Sequence, residues 1–172
     1  MLQLSGTILN QEVLSLRTGS PIAQIVAPII NPDNLKIEGL YCTEYSNKSS
    51  VVLLYQDIRD ILPQGVVVND FDALSDPSEL VRLKKVLDMD FELIGKPVET
   101  LSKDKVGKVN DYAFETATMY IQKIYVSRSV LKSFTTGSLS IDRTQIQEIT
   151  PKRVVINDML ETVPAQGVAA AA

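Results

Sequence analysis

One stretch of this chain occurs twice with most of its residues unchanged. Residues 61–70 read ILPQGVVVND and residues 149–158 read ITPKRVVIND, so that Ile, Pro, Val, Val, Asn and Asp recur at matching places. Self-similarity of this kind indicates an internal duplication. Each repeat must then bury an apolar face of its own or share one with its counterpart.

The correspondence extends upstream with small changes of spacing. Three pairs of segments match in order, at offsets of 85, 84 and 84 residues: 13–16 with 98–101, 22–25 with 106–109, and 35–37 with 119–121. The changes fall in turn-like stretches, 17–21 with 102–105 and 43–50 with 127–138, where lengthening a loop costs little free energy. The alternative is that two β-rich segments share a pattern without common descent.

Alternating apolar residues predict that each repeat is made of strands. The predicted strands are 22–30, 35–38, 51–55 and 66–68 in the first repeat, and 106–114, 120–126, 139–141 and 154–156 in the second. A short polar turn of helix is expected at 56–60 and again at 143–147. Five or six short strands in about 75 residues favour a small closed barrel, because closure removes unpaired edges.

Between the repeats the apolar period changes to that of a helix. Asp76 is a predicted N-cap, Pro77 suits the first turn, and Glu79 stands three residues after the cap. The apolar face that a helix over residues 76–88 would present consists of Leu80, Leu83, Val86 and Leu87. We expect this helix to dock on one or both repeats; the alternative is a helix that binds a groove in a partner protein.

The predicted fold is therefore mainly β, with two small β-barrels related by duplication and joined by a short α-helix. The expected boundaries are a first barrel over 1–72, a helical linker over 73–89, a second barrel over 90–163 and a disordered tail over 164–172. Repeats of this size are near the lower limit for independent stability, so we expect them to dock against each other.

Composition excludes several kinds of chemistry. The chain has no histidine, which removes Ser-His and Cys-His dyads and histidine-ligated zinc. Seventeen basic against 21 acidic residues give no overall attraction to nucleic acid or to an anionic membrane. We expect no enzyme activity, no catalytic or metal-binding residues and no cofactor.

The remaining reactive side chains have simpler explanations. Cys42 is the single cysteine and lies in an apolar strand pattern, so burial is favoured over a reactive thiol. The acidic residues Asp70, Asp72 and Asp76 offer a cation site in principle, but a strand end and a helix cap explain them better. Two further carboxylates, Asp57 and Asp60, fit the solvated face of a helical turn better than an acid–base pair.

Two other groups bear on binding. The lysines at 103, 105 and 108 form a basic cluster that is interrupted by Asp104 and lacks interleaved aromatic residues, which favours a solvated turn over an RNA contact. Large aromatic anchors for an interface are few; the six tyrosines are Tyr41, Tyr45, Tyr55, Tyr112, Tyr120 and Tyr125.

The segment that opens the sequence lacks the basic start of a secretory signal, since the first basic residue is Arg17. The longest uncharged stretch, residues 18–32, has 15 residues and three prolines, too few apolar positions for a membrane span. These features predict a soluble, cytoplasmic protein without membrane insertion.

Several of these segments together resemble the PRC-barrel domain. In the second repeat they are residues 94–98 (IGKPV), 106–109 (VGKV), the strand 120–126 and the closing strand 154–156; the first repeat follows with residues 22–25 (IAQI). The linker residues 76–80 and 90–95 look like the joint of tandem PRC-barrel proteins. The first repeat departs from the pattern, with Ala23 in place of Gly107 and Asn10 in place of Gly95, so its turns must tolerate a side chain.

The resemblance implies a binding module. PRC-barrels are similar to the cytoplasmic domain of the photosynthetic reaction-centre H subunit and to the C-terminal domain of a ribosome maturation factor, and some are linked to cell division. The expected function is a non-enzymatic adaptor or scaffold that binds another protein. The alternatives are a ribosome-associated or RNA-processing accessory factor and, last, a sensor of a small ligand or metal; a homo-oligomer is also compatible with the sequence.

Overall fold

A computed structural model describes residues 1–128 and 138–158 of the chain. The turn predicted at 127–138 and the tail predicted at 164–172 therefore lie largely or wholly outside the described residues. The strands are, in chain order, β1 Leu2–Leu4, β2 Glu12–Ser15, β3 Pro21–Asn31, β4 Lys36–Glu44, β5 Ser50–Leu54, β6 Ile58–Leu62, β7 Gly65–Val68, β8 Leu74–Ser75, β9 Pro97–Thr100, β10 Lys105–Glu115, β11 Ile121–Ser127, β12 Ser138–Asp142, β13 Ile146–Ile149 and β14 Val154–Ile156. One short α-helix, α1, spans Lys84–Met89.

The strands form two mixed sheets of seven strands each, so the prediction of a mainly β protein is confirmed. The first sheet has the order β6-β7-β2-β3-β4-β5-β8. The second has the order β12-β11-β10-β9-β14-β13, with β1 added on β10. In each sheet one pair is parallel, β2 with β7 and β9 with β14, and the other pairs are antiparallel.

The same six-strand order occurs in both sheets. We call β2–β7 the first repeat and β9–β14 the second repeat; each strand of one occupies the place of its counterpart in the other. Even the irregularities agree, because a register shift between Ile25 and Ala27 in β3 recurs between Val109 and Asp111 in β10. Segments that match in sequence therefore also match in pairing.

The strand pairing closes neither sheet into a barrel in the described part of the chain. In the first repeat the outer edge of β5 is occupied by β8, whose Leu74 and Ser75 pair with Leu53 and Val52. That edge is consequently not available to β6, the strand with which closure would be made. The sheets are therefore open, and the predicted closed barrels are not seen.

The polar turns of helix are shorter than predicted. At 56–60 and 143–147 the structure has 3-10 turns of three residues, Tyr55–Asp57 and Arg143–Gln145. Each turn leads directly into an additional strand, β6 or β13, with two adjacent exposed polar residues, Arg59 and Asp60 or Gln147 and Glu148. Two exposed polar positions between apolar ones fit an edge strand as well as a helix, which is why the pattern misled the prediction.

The predicted linker helix over 76–88 is also broken. Asp76 caps as expected, since its Oδ1 accepts a 2.8 Å hydrogen bond from the Ser78 backbone N–H, but the 3-10 turn Pro77–Glu79 ends there. Leu80 has φ −86° and ψ 66°, which is not helical, and α1 starts only at Lys84. The apolar side chains of the linker are nevertheless half-buried, as docking requires: Leu80, Leu83, Val86 and Leu87.

A continuous apolar core joins the two repeats. Its largest fully buried side chains include Tyr112 and Phe114 from β10, and Ile25, Ile37 and Leu40 from β3 and β4. These belong to one cluster of contacting residues that contains strands of both sheets. Docking of the repeats thus follows from the need to cover apolar faces that each small sheet leaves open.

The repeats also pair directly through equivalent turns. The backbone N–H of Ile37 donates to the Met119 carbonyl at 2.9 Å, and the N–H of Ile121 donates to the Leu35 carbonyl at 2.8 Å. Ile121 corresponds to Ile37, and Met119 corresponds to Leu35. The two hydrogen bonds are therefore equivalent, since each joins one repeat to the other through the same pair of positions. The junction therefore has the reciprocal geometry of a two-fold interface within a single chain.

The segment in front of each repeat crosses to the other repeat. Strand β1 precedes the first repeat and pairs with Ala113–Glu115 of β10 in the second sheet. Helix α1 precedes the second repeat and packs on β3 of the first. Strand β3 extends beyond Pro21–Gln24, the part that pairs with β2, and in this extension Pro28 has no N–H to offer another strand; a helix covers such an exposed edge without needing one.

Candidate interaction surface

A surface groove lies where the two repeats meet. We call it the junction groove; it has a volume of about 190 Å³ and is lined by Ser5, Leu9, Val26, Ala27, Pro28, Ile30, Phe91, Glu92, Leu93, Ile94 and Tyr112. Both repeats contribute to this lining, and so do the residues that connect β1 to β2 and α1 to β9. Most of its side chains are apolar, and two of them remain well exposed, Val26 at 56% and Ile94 at 45%.

Equivalent turns place two of the groove's side chains. Leu9 and Ile94 each precede a residue with left-handed backbone, Asn10 with φ 61° and Gly95 with φ 87°. The N–H of Asn10 donates to the Ile25 carbonyl at 3.1 Å, and the N–H of Gly95 donates to the Val109 carbonyl at 2.7 Å. Asparagine tolerates this conformation better than most residues, which explains how the first repeat keeps the turn without glycine.

Polar groups at the groove are held by neighbouring side chains. Ser5 is buried, and its hydroxyl donates to Asp111 Oδ1 at 2.6 Å. The Nζ of Lys96 lies 4.9 Å from the centre of the Phe91 ring, so the ammonium group forms a cation–π contact with this groove residue. The groove can therefore accept an apolar group, while Glu92 stands exposed beside it.

A second groove lies beside the linker. It is larger, about 560 Å³, and mixes apolar with charged side chains: Asn31, Glu38, Leu54, Tyr55, Gln56, Glu79, Leu80, Val81, Arg82, Leu83 and Val86. Val81 in this groove is 79% exposed. Because Glu38, Glu79 and Arg82 place charges of both signs among its apolar side chains, this groove is the weaker candidate for an interaction surface.

Cys42 is buried, as the strand pattern predicted. Its Sγ lies 3.6 Å from the Leu40 carbonyl, to which it donates a weak hydrogen bond. Burial raises the pKa of the Cys42 thiol to about 12, far above its ordinary value. The thiol is therefore protonated at neutral pH and unsuited to nucleophilic chemistry.

The acidic residues around the linker have local partners. Asp70 follows β7, and its Oδ2 lies 2.6 Å from Arg17 Nε while its Oδ1 accepts a 3.1 Å hydrogen bond from Ser15. Asp72 is exposed, and Asp76 is the cap described above. Within residues 1–128 and 138–158, no three acidic or cysteine side chains are gathered as metal ligands would be.

Asp57 and Asp60 lie in two different elements, a 3-10 turn and strand β6. Asp60 Oδ1 accepts a 2.8 Å hydrogen bond from the Ile61 backbone N–H, and Asp60 is exposed. Asp57 lies in the turn itself and is half-buried. The prediction that both carboxylates lie on the solvated face of one helical turn is therefore wrong, because Asp60 belongs to strand β6 and Asp57 is half-buried.

The lysine cluster is exposed on the hairpin of β9 and β10. Lys103, Lys105 and Lys108 are all exposed, and in the described ranges none of them forms an ion pair. Lys103 occupies a left-handed turn position with φ 68°. The three charges thus face solvent, as a solvated turn and a polyanion contact both require.

Sequence reasoning missed the tyrosines' actual role. Tyr112 is buried in the core and the other five are half-buried, so none is a protruding anchor. Tyr55 and Tyr120 instead contact cations at the junction of the repeats. The offsets of 84 and 88 residues make Lys36 equivalent to Tyr120 and Tyr55 equivalent to Arg143, but equivalence in sequence does not by itself predict contact.

Comparison with known proteins adds no relative. No protein-family model matches the chain, and no curated protein sequence matches it. Across the residues that the structure describes, none of the helices has both the length and the apolar character needed to span a membrane.

Proposed function

We propose that this chain is a non-enzymatic adaptor that binds another protein through the junction groove. The observation that carries the proposal is the groove itself, in which Val26 and Ile94 from the two repeats stay exposed beside half-buried Leu9 and Phe91. An apolar patch of this kind at the meeting of two structural units is a common feature of protein-binding surfaces. A volume of about 190 Å³ suits one large apolar side chain of a partner.

We further propose that the chain is a tandem PRC-barrel protein whose repeats arose by duplication, with each repeat a PRC-like unit. Three features support this: the shared strand order, the parallel pairing of first and last strands in both repeats, and the matching register shifts. The proposed membership of the PRC-barrel family favours a binding role in cell division or in the assembly of a larger complex. It also favours the cytoplasm as the location.

Quantitative affinity capture from lysate of the source organism tests the adaptor function. Val26→Asp and Ile94→Asp each place a charge in the groove, and each should reduce recovery of a stoichiometric protein partner at least tenfold. The matched controls are Leu16→Asp and Leu101→Asp, because these leucines are 63% and 57% exposed and lie outside the groove. Equal recovery with all four variants would contradict the proposed surface.

A ribosome-associated or RNA-processing role is the second candidate. It rests on the three exposed lysines at 103, 105 and 108, which have no ion-pair partner among the described residues. Polyanion binding through them predicts an affinity that falls steeply with salt. Absence of salt-dependent binding to ribosomal RNA would exclude this candidate, and binding that is insensitive to the triple Lys→Gln variant would exclude these lysines as its surface.

A further inference from the structure

Four side chains line the two-fold junction in an alternating order of aromatic ring and cation. Lys36 Nζ lies 3.6 Å from the centre of the Tyr55 ring and 5.3 Å from that of Tyr120. Arg143 also contacts Tyr120, with its Cζ 4.8 Å from the centre of that ring. The order is therefore Tyr55, Lys36, Tyr120, Arg143.

The two repeats supply the same contact with its members exchanged. Lys36 and Tyr120 occupy equivalent positions, 84 residues apart, and form an antiparallel bridge across the junction. Tyr55 and Arg143 are also equivalent, since each is the first residue of the 3-10 turn in its repeat. The first repeat thus has the cation on the bridge and the ring on the turn, whereas the second has the ring on the bridge and the cation on the turn.

Backbone contacts at this place are reciprocal, but the side chains are not. The hydrogen bonds of Ile37 to Met119 and of Ile121 to Leu35 would form equally well between two identical repeats. Arg143 adds a bond without a counterpart, because its guanidinium donates to the Asn34 carbonyl at 2.6 Å. The selectivity of the junction must therefore come from its side chains.

We propose that four side chains make the junction directional, so that a first repeat fits a second repeat and rejects another first repeat: Lys36, Tyr55, Tyr120 and Arg143. Pairing of two first repeats would set Lys36 against a second Lys36, and like charges directly opposite each other are unfavourable. Pairing of two second repeats would set Tyr120 against Tyr120 and lose the shared cation between the rings. The surface therefore fits the opposite repeat of the same chain, and it disfavours the first repeat of a second molecule.

The electrostatic setting of Lys36 agrees with this assignment. Partial burial by itself lowers the pKa of Lys36, but contact with Tyr55 and the nearby Glu38 carboxylate outweigh it, so the pKa is raised overall. Lys36 thus stays charged at neutral pH, as both its attraction to the rings and its repulsion of a second lysine require.

Exchange of the four residues in the full chain tests the proposal. The double variant Y120K/R143Y gives the second repeat the residues of the first, and should lower Tm by roughly 2 to 6 °C at low salt. The reverse double variant, K36Y/Y55R, removes the shared cation without creating repulsion and should lower Tm less. The quadruple variant rebuilds the alternating order in the opposite direction and should recover most of the lost Tm.

Salt separates a charge effect from general damage to the junction. The Tm deficit of Y120K/R143Y should shrink as salt is raised, because screening weakens the repulsion between the facing lysines. Tyr120→Phe is the control, since it keeps the ring face and should leave Tm nearly unchanged. A quadruple variant no more stable than Y120K/R143Y, or a deficit that salt does not reduce, would overturn the proposal.

Discussion

At the scale of single residues, equivalent positions carry different constraints. Gly107 and Ala23 correspond in the two repeats, yet Ala23 is accommodated and buried, whereas a Cβ on Gly107 would lie 1.9 Å from the Ser127 carbonyl oxygen. The glycine of the second repeat is thus required by close backbone approach. Both positions lie in strands, β3 and β10, and not in the turns that the sequence predicted; β3 accommodates the methyl group of Ala23.

Gly107→Ala should destabilise the chain by about 1 to 3 kcal/mol, because a backbone carbonyl must move to admit the Cβ. Gly6→Ala is the matched control and should be nearly neutral, since a Cβ there meets no atom within 4 Å. Chemical denaturation measures both free energies of unfolding. Equal effects of the two substitutions would refute the steric explanation.

The repeated isoleucines are less buried than their repetition suggested. Ile61 and Ile149 are equivalent but only half-buried, and both pack against the edge of the core. Truncation of either to alanine should therefore cost about 1 to 2 kcal/mol, less than the 2 to 5 kcal/mol expected for fully buried Ile37→Ala or Ile121→Ala. Urea unfolding of the four variants measures these losses of unfolding free energy. A larger loss for Ile61→Ala than for Ile37→Ala would contradict the predicted order.

Cys42 provides a direct probe of local packing. With its pKa raised to about 12, the native thiol should resist a disulfide reagent at pH 8 and react fully once the chain is unfolded. Absorbance of the released thiolate follows the reaction. Rapid modification of the native protein would mean that β4 is not packed as described.

At the scale of elements, carboxylates fix the starts of short turns. Asp142 and Gln145 form a capping box around the 3-10 turn of the second repeat, and Asp76 caps the turn in the linker. Hydrogen bonds from the backbone and hydroxyl of Thr144 lower the pKa of Asp142, and those from the hydroxyl and backbone of Ser78 lower the pKa of Asp76. These turns are therefore tied to the ionised forms of their caps.

Acid should weaken the fold through these caps. A carboxyl whose pKa is lower in the folded chain than the ordinary 3.8 contributes stability above pH 3.8, and that contribution is lost as pH falls from there through the lower pKa of the folded chain. The unfolding midpoint should thus change little between pH 7 and 5 and drop below about pH 4. Asp142→Asn should make the unfolding midpoint fall less steeply below pH 4. An unaltered pH profile of the midpoint would contradict the assigned role of this cap.

At the scale of the whole molecule, the two sheets share one core. The core cluster contains residues from both repeats, and the segments β1 and α1 each cross to the opposite sheet. Separate unfolding would expose the shared core and break both crossings. The chain should therefore behave as a single two-state system.

Ile121→Ala tests this cooperativity. Although Ile121 lies in the second sheet, its truncation should lower hydrogen-exchange protection by the same free energy in the core strands of both sheets, because both open together. The amides of β4 in the first sheet and β10 in the second are the ones to compare. A loss confined to the second sheet would show that the repeats unfold independently.

Much of the architecture could be predicted from the sequence because it depends on local periodicity. Alternating apolar residues located the long strands β3, β10 and β11 to within a residue or two, and the repeated decapeptide indicated two equivalent units. Asp76 was recognisable as a cap because its hydrogen bond spans only two residues. By contrast, the linker pattern extended past Leu80, where the backbone leaves the helical region.

These local sequence patterns could not predict long-range pairing. The exchange of β1 and α1 between sheets, the open sheet edges and the pairing of Lys36 with Tyr120 all join residues that are distant in the chain. The sequence by itself determined the β character, the two matching sets of strands and the local turns, since these arise from side-chain spacing and short hydrogen bonds. The tertiary structure alone decided which edges meet and where an apolar groove stays open, because these depend on how two incomplete cores cover each other.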